Sequence, residues 1–149
     1  MRRAHGASAL ELMTVLVITG VLSAVALPSY QEQVLRARRS EAQAMLLALM
    51  QQQERYASQH NRYIAFSADS SDADARQFRW HSGPVARRSA YEIEGRACAG
   101  EDIADCIELV ATPGTARVDP AFRDPLCGKL ILTSNGEQKV SGQGERCWR

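Results

Sequence analysis

The run "GASALELMTVLVITGVLSAVALP", Gly6–Pro28, constrains this chain more than any other feature. From Ala7 to Leu27 there are 21 residues, and their only charge is the carboxylate of Glu11. As a helix, 21 residues span roughly 31 Å, about the thickness of a bilayer core. Arg2 and Arg3 precede the run, which predicts a cytoplasmic N-terminus with the remainder outside. A carboxylate in hydrocarbon costs roughly 3 kcal/mol, so Glu11 needs a compensating partner or role.

The apolar run does not hand over to a loop. From Ser29 to Gln59 the chain lacks Gly and Pro. Ala42, Met45, Leu46, Leu49, Gln53 and Tyr56 recur at spacings of three and four, which sets them along one helical face. Gln43, Gln51, Gln52 and Arg55 fall on the opposite face. The pattern predicts a single helix of about 50 residues, apolar all round in its first half and amphipathic in its second. Pro28 is expected to kink it, and Gly20 to be a second weak point.

Beyond His60 the helical period stops. "AFSADSSDADARQ" reads as a surface loop. Its Asp69, Asp72 and Asp74 lack the spacing and the Gly of a calcium-binding EF-hand loop. From Ala90 strand signals take over: "AYEIEG" alternates, "CIELVATP" ends on Pro-Gly, and Asn135-Gly136 separates two strand-like runs. Asn-Gly at that place predicts a hairpin closed by a type I′ turn. The class expected is α+β: a long N-terminal helix covering one face of an antiparallel meander of three or four strands.

Charge and cysteines narrow the function. The 149 residues carry 18 Lys+Arg against 17 Asp+Glu, and without Arg2 and Arg3 the balance is about −1. That near-neutral total argues against a nucleic-acid partner. Cys98, Cys106, Cys127 and Cys147 contain no C-x-x-C pair, which argues against zinc and for two disulfides in an oxidising compartment. Spacing alone leaves three connectivities open.

No catalytic pattern stands out. His5, His60 and His81 are scattered, and nucleotide-binding and hydrolase motifs are absent. Glu92 and Glu94 share one face of an expected strand, and Arg38-Arg39 and Arg87-Arg88 read as solvated pairs. Trp80 and Trp148 are expected to pack. Neither an enzyme, a cofactor nor a metal is expected.

Gly6 after a short basic leader, Glu11 five residues on, an apolar helix with Gly20 and Pro28, and an amphipathic continuation together resemble a type IV prepilin. The later stretches "YEIEG…CIELVATPG", "D…PLCGKLILTSNGEQKVSG" and the closing "CW" are similar to minor pilins of the PilE kind. The resemblance implies the type IV pilin fold, with leader 1–6, transmembrane and filament-core helix 7–28, amphipathic half 29–60, and a globular head 61–149 closed by a disulfide loop.

It also implies cleavage by a prepilin peptidase between Gly6 and Ala7, followed by N-methylation of Ala7. Glu11 would pair with the new ammonium of a subunit N-terminus, two charges attracting strongly at low dielectric and so fixing register. Gly20 and Pro28 match positions where the family's helix loses helical structure in the filament. Here Ala7 and Ala9 stand where Phe and Leu are usual.

The expected pairing is Cys98–Cys106 and Cys127–Cys147. The implied function is a minor pilin taking part in assembly or priming of a pilus for adhesion and twitching motility. Its partners would be other major and minor pilins, the peptidase and inner-membrane assembly machinery. Its location would be the inner membrane, single-pass, then the surface pilus. Alternatives are a type II secretion pseudopilin, a DNA-uptake pilin, or a secreted protein cut near Ala24–Ala26.

Overall fold

A run with good helix formers and no Pro from Ala9 to Leu27 propagates as helix, and the sequence after Pro28 resumes the pattern. In a computed structural model of the chain, which describes residues 8–148 except for the side chains of 25–29, helix α1 spans Ala9–His60. Ser8 opens it, its carbonyl accepting the Glu11 and Leu12 amides at 3.0 and 3.1 Å. Asn61, at φ 55°, closes it in the left-handed conformation that ends many helices, and its N–H donates to the Ala57 carbonyl at 2.8 Å.

Contacts divide the chain between Arg36 and Ala37. In the first unit α1 presents nine large apolar side chains between Leu10 and Leu22, each 55–78% exposed. The second unit contains the rest of α1 and a sheet of four antiparallel strands in the order β1-β2-β3-β4: β1 Tyr91–Ala97, β2 Ile107–Pro113, β3 Leu130–Thr133 and β4 Gln138–Val140. Ile93 faces Ala111, and Leu109 faces Leu132.

Alternation in β1 buries Tyr91, Ile93 and Gly95 on one face. These meet Ala42, Leu46 and Leu49 of α1 in one apolar core with Ile107, Leu109, Leu130 and Leu132. The segment between α1 and β1 lines the outer edge of β1: Phe66 exchanges both backbone hydrogen bonds with Gly95, and the Ile93 amide donates to the Trp80 carbonyl. The Phe66 ring crosses so close over Gly95 that a Cβ there would lie 2.5 Å from it. Only glycine fits.

Two expectations are corrected. The turn at Asn135-Gly136 is not type I′: of the two residues only Gly136 has positive φ, at 82°. The Gly136 amide donates to the Thr133 carbonyl and the Thr133 amide to the Glu137 carbonyl, so three residues bridge the strands and the glycine takes the left-handed place. Gln43 is buried rather than on the solvent face, because its Nε2 donates to the Cys147 carbonyl of the C-terminal tail packed beside α1.

Candidate functional site

The N-terminal candidates divide by position. Gly6 and Ala7 lie outside the described residues. Glu11 sits in the first turn of α1, exposed, where the partial positive charge of the helix start favours an anion. Gly20 is helical, and a Cβ placed on it would meet nothing within 4 Å. Its lack of a side chain therefore answers no packing demand among the described residues. Pro28 is also within α1. Among the described residues no helix is long and apolar enough to cross a membrane.

The disulfides join Cys98 to Cys106, across the connection between β1 and β2, and Cys127 to Cys147. The second closes a loop across β3 and β4. Trp148 continues from it, packs against the core and donates its Nε1–H to the Lys139 carbonyl at 3.0 Å.

Beneath this loop lies a charge cluster with no counterpart in the sequence reading. Arg39 donates from Nε and Nη2 to the two Asp124 carboxylate oxygens at 2.9 and 2.8 Å. The Tyr91 hydroxyl donates to Oδ2 at 2.6 Å and the Cys127 amide to Oδ1 at 3.1 Å. Four donors occupy the carboxylate, whose side chain is fully buried. Burial pushes the Asp124 carboxyl up, but hydrogen bonds from Arg39, Tyr91 and Cys127 outweigh it and hold it below the ordinary range. Burial, then the Asp124 bond, pushes the Tyr91 phenol far up. The Asp124 bond raises Arg39 against desolvation.

Arg39 was expected to be solvated as half of a basic pair. The signal against that was present: Arg39 stands three residues before Ala42 and seven before Leu46, on the apolar stripe of α1. Asp124, 85 residues away, carried no such signal. Glu92 is likewise not a free surface acid: it accepts from the Arg117 guanidinium at 3.0 Å and from the Thr115 hydroxyl.

The near-neutral total conceals segregation. Ala75–Ala90 holds Arg76, Arg79, Arg87 and Arg88 with no acid. All four are exposed, and among the described residues none pairs with a carboxylate. Ala97–Ala116 holds Glu101, Asp102, Asp105 and Glu108 with no Lys or Arg. Among the described residues no group of three or more His, Cys, Asp or Glu side chains could hold a metal ion.

Residues 28–131 match the family model described as type IV minor pilin ComP, DNA uptake sequence receptor. The chain belongs to this family of type IV minor pilins. The type IV major pilin protein PilA of Myxococcus xanthus is 35% identical over 95 residues, 64% of this minor pilin. The match covers 43% of PilA, so the chain spans less than half the length of that relative. A solved type IV pilin from Shewanella oneidensis aligns with a TM-score of 0.46 at 23% identity, covering 77% of this chain and 98% of that one. The Neisseria meningitidis non-core minor pilin PilV aligns at 0.49 and 19% identity, covering 77% and 94%. Membership makes this minor pilin a structural subunit of a family whose place is the surface pilus.

Proposed function

We propose that this minor pilin enters the pilus through residues 7–28, after cleavage between Gly6 and Ala7 and methylation of Ala7, and that Glu11 aligns it there. One observation carries the reading: nine large apolar side chains of Leu10–Leu22 stand exposed around a helix whose only charge in that span is Glu11. Such a surface calls for lipid before assembly and neighbouring pilin helices after it. Glu11 is then an ion whose partner comes from assembly, the ammonium of a subunit N-terminus. Residues 29–60 continue the helix amphipathically, and 61–149 form the rest of the head. The prepilin peptidase and inner-membrane machinery are the processing partners, with the N-terminus cytoplasmic and the head periplasmic until assembly.

The test is the N-terminus of the mature protein, read by intact mass and Edman sequencing. A chain beginning at N-methylated Ala7 is expected, and Gly6→Val should accumulate uncut. A chain starting after Ala24–Ala26 would make it a secreted protein instead.

A second reading, DNA uptake, is favoured by a specific feature. The matched family model describes a DNA uptake sequence receptor, and the four unpaired arginines of 75–90 give a local positive field despite the neutral total. Electrophoretic shifts of duplex DNA that weaken with salt, and that are lost on changing Arg87 and Arg88 to Ala, would establish it.

A further inference from the structure

We propose that the arginines of the Ala86–Arg88 turn dock onto a second copy of this chain, against its disulfide-closed acidic loop Cys98–Cys106. The contact is head to tail and goes beyond membership of the pilin family. Neither Glu11 nor the apolar half of α1 takes part in it.

The two patches lie at opposite ends of the head. Arg87 and Arg88 stand just before β1, and Arg87 Nη1 donates at 3.1 Å to the carbonyl of Ala116, three residues past the end of β2. The acidic loop joins the other ends of the same two strands. The length of β1 alone separates the patches by roughly 20 Å. Helix α1 gives the same order. A Cβ on Gly83, beside the arginine turn, would lie 3.4 Å from the Glu41 carboxylate, whereas the Ile103 carbonyl of the loop accepts the amide of Tyr63, beyond the far end of the helix. Charges this far apart cannot pair within one chain.

Each patch is held in shape and unmatched. The Arg88 and Ser89 amides donate to the Val85 and Ala86 carbonyls, each at 3.0 Å, and the Ser89 hydroxyl accepts the Gly83 amide at 3.0 Å. The loop is closed by its disulfide and by the Cys98 amide on the Cys106 carbonyl at 3.2 Å. Its Glu101, Asp102 and Asp105 are exposed. Among the described residues none of these three carboxylates pairs with a cation, and neither arginine pairs with a carboxylate.

Complementary patches at the two ends of one molecule fit a second copy of it. A nucleic acid would match the arginines and leave the acidic loop without a partner; a second copy matches both. Because different surfaces meet, the contact does not close on itself as a symmetric pair does, and it can repeat along a row of copies. One exposed ion pair is worth a factor of only about two to five, so the contact is weak between free heads and gains wherever copies are held side by side.

The experiment uses the full-length protein in detergent with Arg87→Lys and Arg88→Lys, which keep the charge and supply amines. A water-soluble carbodiimide activates a carboxylate, the lysine amine displaces it to form an amide, and the reagent leaves as its urea. Equal parts of ¹⁵N-labelled and unlabelled protein are mixed, so that an amide joining a labelled to an unlabelled peptide lies between two copies. Mass spectrometry should find such mixed links from position 87 or 88 to Glu101, Asp102 or Asp105, falling severalfold as salt rises from about 0.01 M to about 0.15 M. Reversing one patch, by Arg87→Glu with Arg88→Glu or by Glu101→Lys with Asp105→Lys, should abolish the links in each variant alone. Mixing the two reversed variants should restore them, between positions 87–88 of one and 101–105 of the other. All four positions are exposed, and circular dichroism checks that the fold survives. The Glu101/Asp105 variant also separates this contact from DNA binding, which needs the arginines alone. Links confined to one chain, links to carboxylates elsewhere on the head, or no rescue on mixing would overturn the proposal. Links in cells that run only to a different pilin would overturn the second copy as the occupant.

Discussion

The two units handle water in opposite ways. The first leaves its largest apolar side chains exposed, Leu10 at 78%. The second buries an arginine and a carboxylate that could have stayed in solvent. In the head every buried polar group named above finds a partner within the chain: Arg39 and Tyr91 on Asp124, Gln43 on the Cys147 carbonyl, and Gln53 bonded through both ends of its amide to the Ile64 backbone. The N-terminal unit has no such closure. Its apolar surface and Glu11, the one carboxylate within that surface, are suited to partners outside the chain, which is what a subunit of a filament requires.

The largest effect should come from breaking the open unit at its charge. Glu11→Ala should still insert, because the helix becomes more apolar, and should still be cut after Gly6. What should fail is assembly: mature protein accumulates in the membrane and disappears from sheared pili. Glu11→Gln should fail likewise, since an amide keeps the shape and loses the attraction. Immunoblots of sheared and cell fractions measure this. Wild-type incorporation of both variants would remove the carboxylate from the assembly mechanism.

The closed unit should break at Asp124. Asp124→Ala strands Arg39 in a buried site, and removing one partner of a buried pair costs about 3–5 kcal/mol. Joining Arg39→Met to Asp124→Leu should recover about half or more of that loss, because two apolar side chains need no counter-charge. Urea denaturation of the four combinations reads the coupling. A double variant as unstable as Asp124→Ala would mean that the Tyr91 and Cys127 bonds, not the arginine, carry the site.

The same cluster predicts a pH window. Asp124 has a depressed folded pKa, so its contribution is complete above the unfolded value of about 4 and is lost as pH falls through the lower folded value. Tyr91 is raised, so the folded state holds its proton longer than the unfolded one. Stability should therefore decline again above about pH 10. Melting temperature against pH should show a plateau between these limits, with the acid limb flattened in the Arg39/Asp124 double variant.

How much of this was legible in the sequence follows the same division. The N-terminal motif and the helix are local: contiguous apolar residues, one Glu, a Gly and a Pro at set distances. The strands announced themselves through alternation. Asp124 could not, since nothing near it in sequence says that Arg39 lies against it. Gln43 shows why helical periodicity alone misleads. Periodicity finds the face turned to the sheet, but a flank covered by the chain's own C-terminal tail looks polar until the tail is placed. The turn at Asn135-Gly136 was located correctly and mistyped, because its loop length depends on strand register rather than on the dipeptide.

Loss of the Cys127–Cys147 bridge should cost less than loss of Asp124. Closing a loop of about 20 residues is worth on the order of 3 kcal/mol in the chain-entropy model, and the shorter Cys98–Cys106 loop about 2.5. Paired Cys→Ser variants compared by urea denaturation should rank in that order, with the first also freeing Trp148 from the Lys139 carbonyl and shifting its fluorescence.

The smallest change tests the open unit without touching its charge. Gly20→Ala adds a methyl where nothing lies within 4 Å, so no clash opposes it, and it should stabilise the helix by about 1 kcal/mol. If α1 stays helical in the filament, the variant should incorporate as well as wild type or better. If the segment between Gly20 and Pro28 must lose helical structure to pack, the same methyl opposes that step by the amount it stabilises the helix, and incorporation should fall about fivefold at equilibrium. The second outcome is expected. Gly20→Ser separates conformation from bulk, being close in size to Ala but a poorer helix former. It should incorporate better than Gly20→Ala if helix propensity is what matters. Equal defects in both would point instead to close approach of a neighbouring helix at Gly20, a contact made only in the assembled pilus.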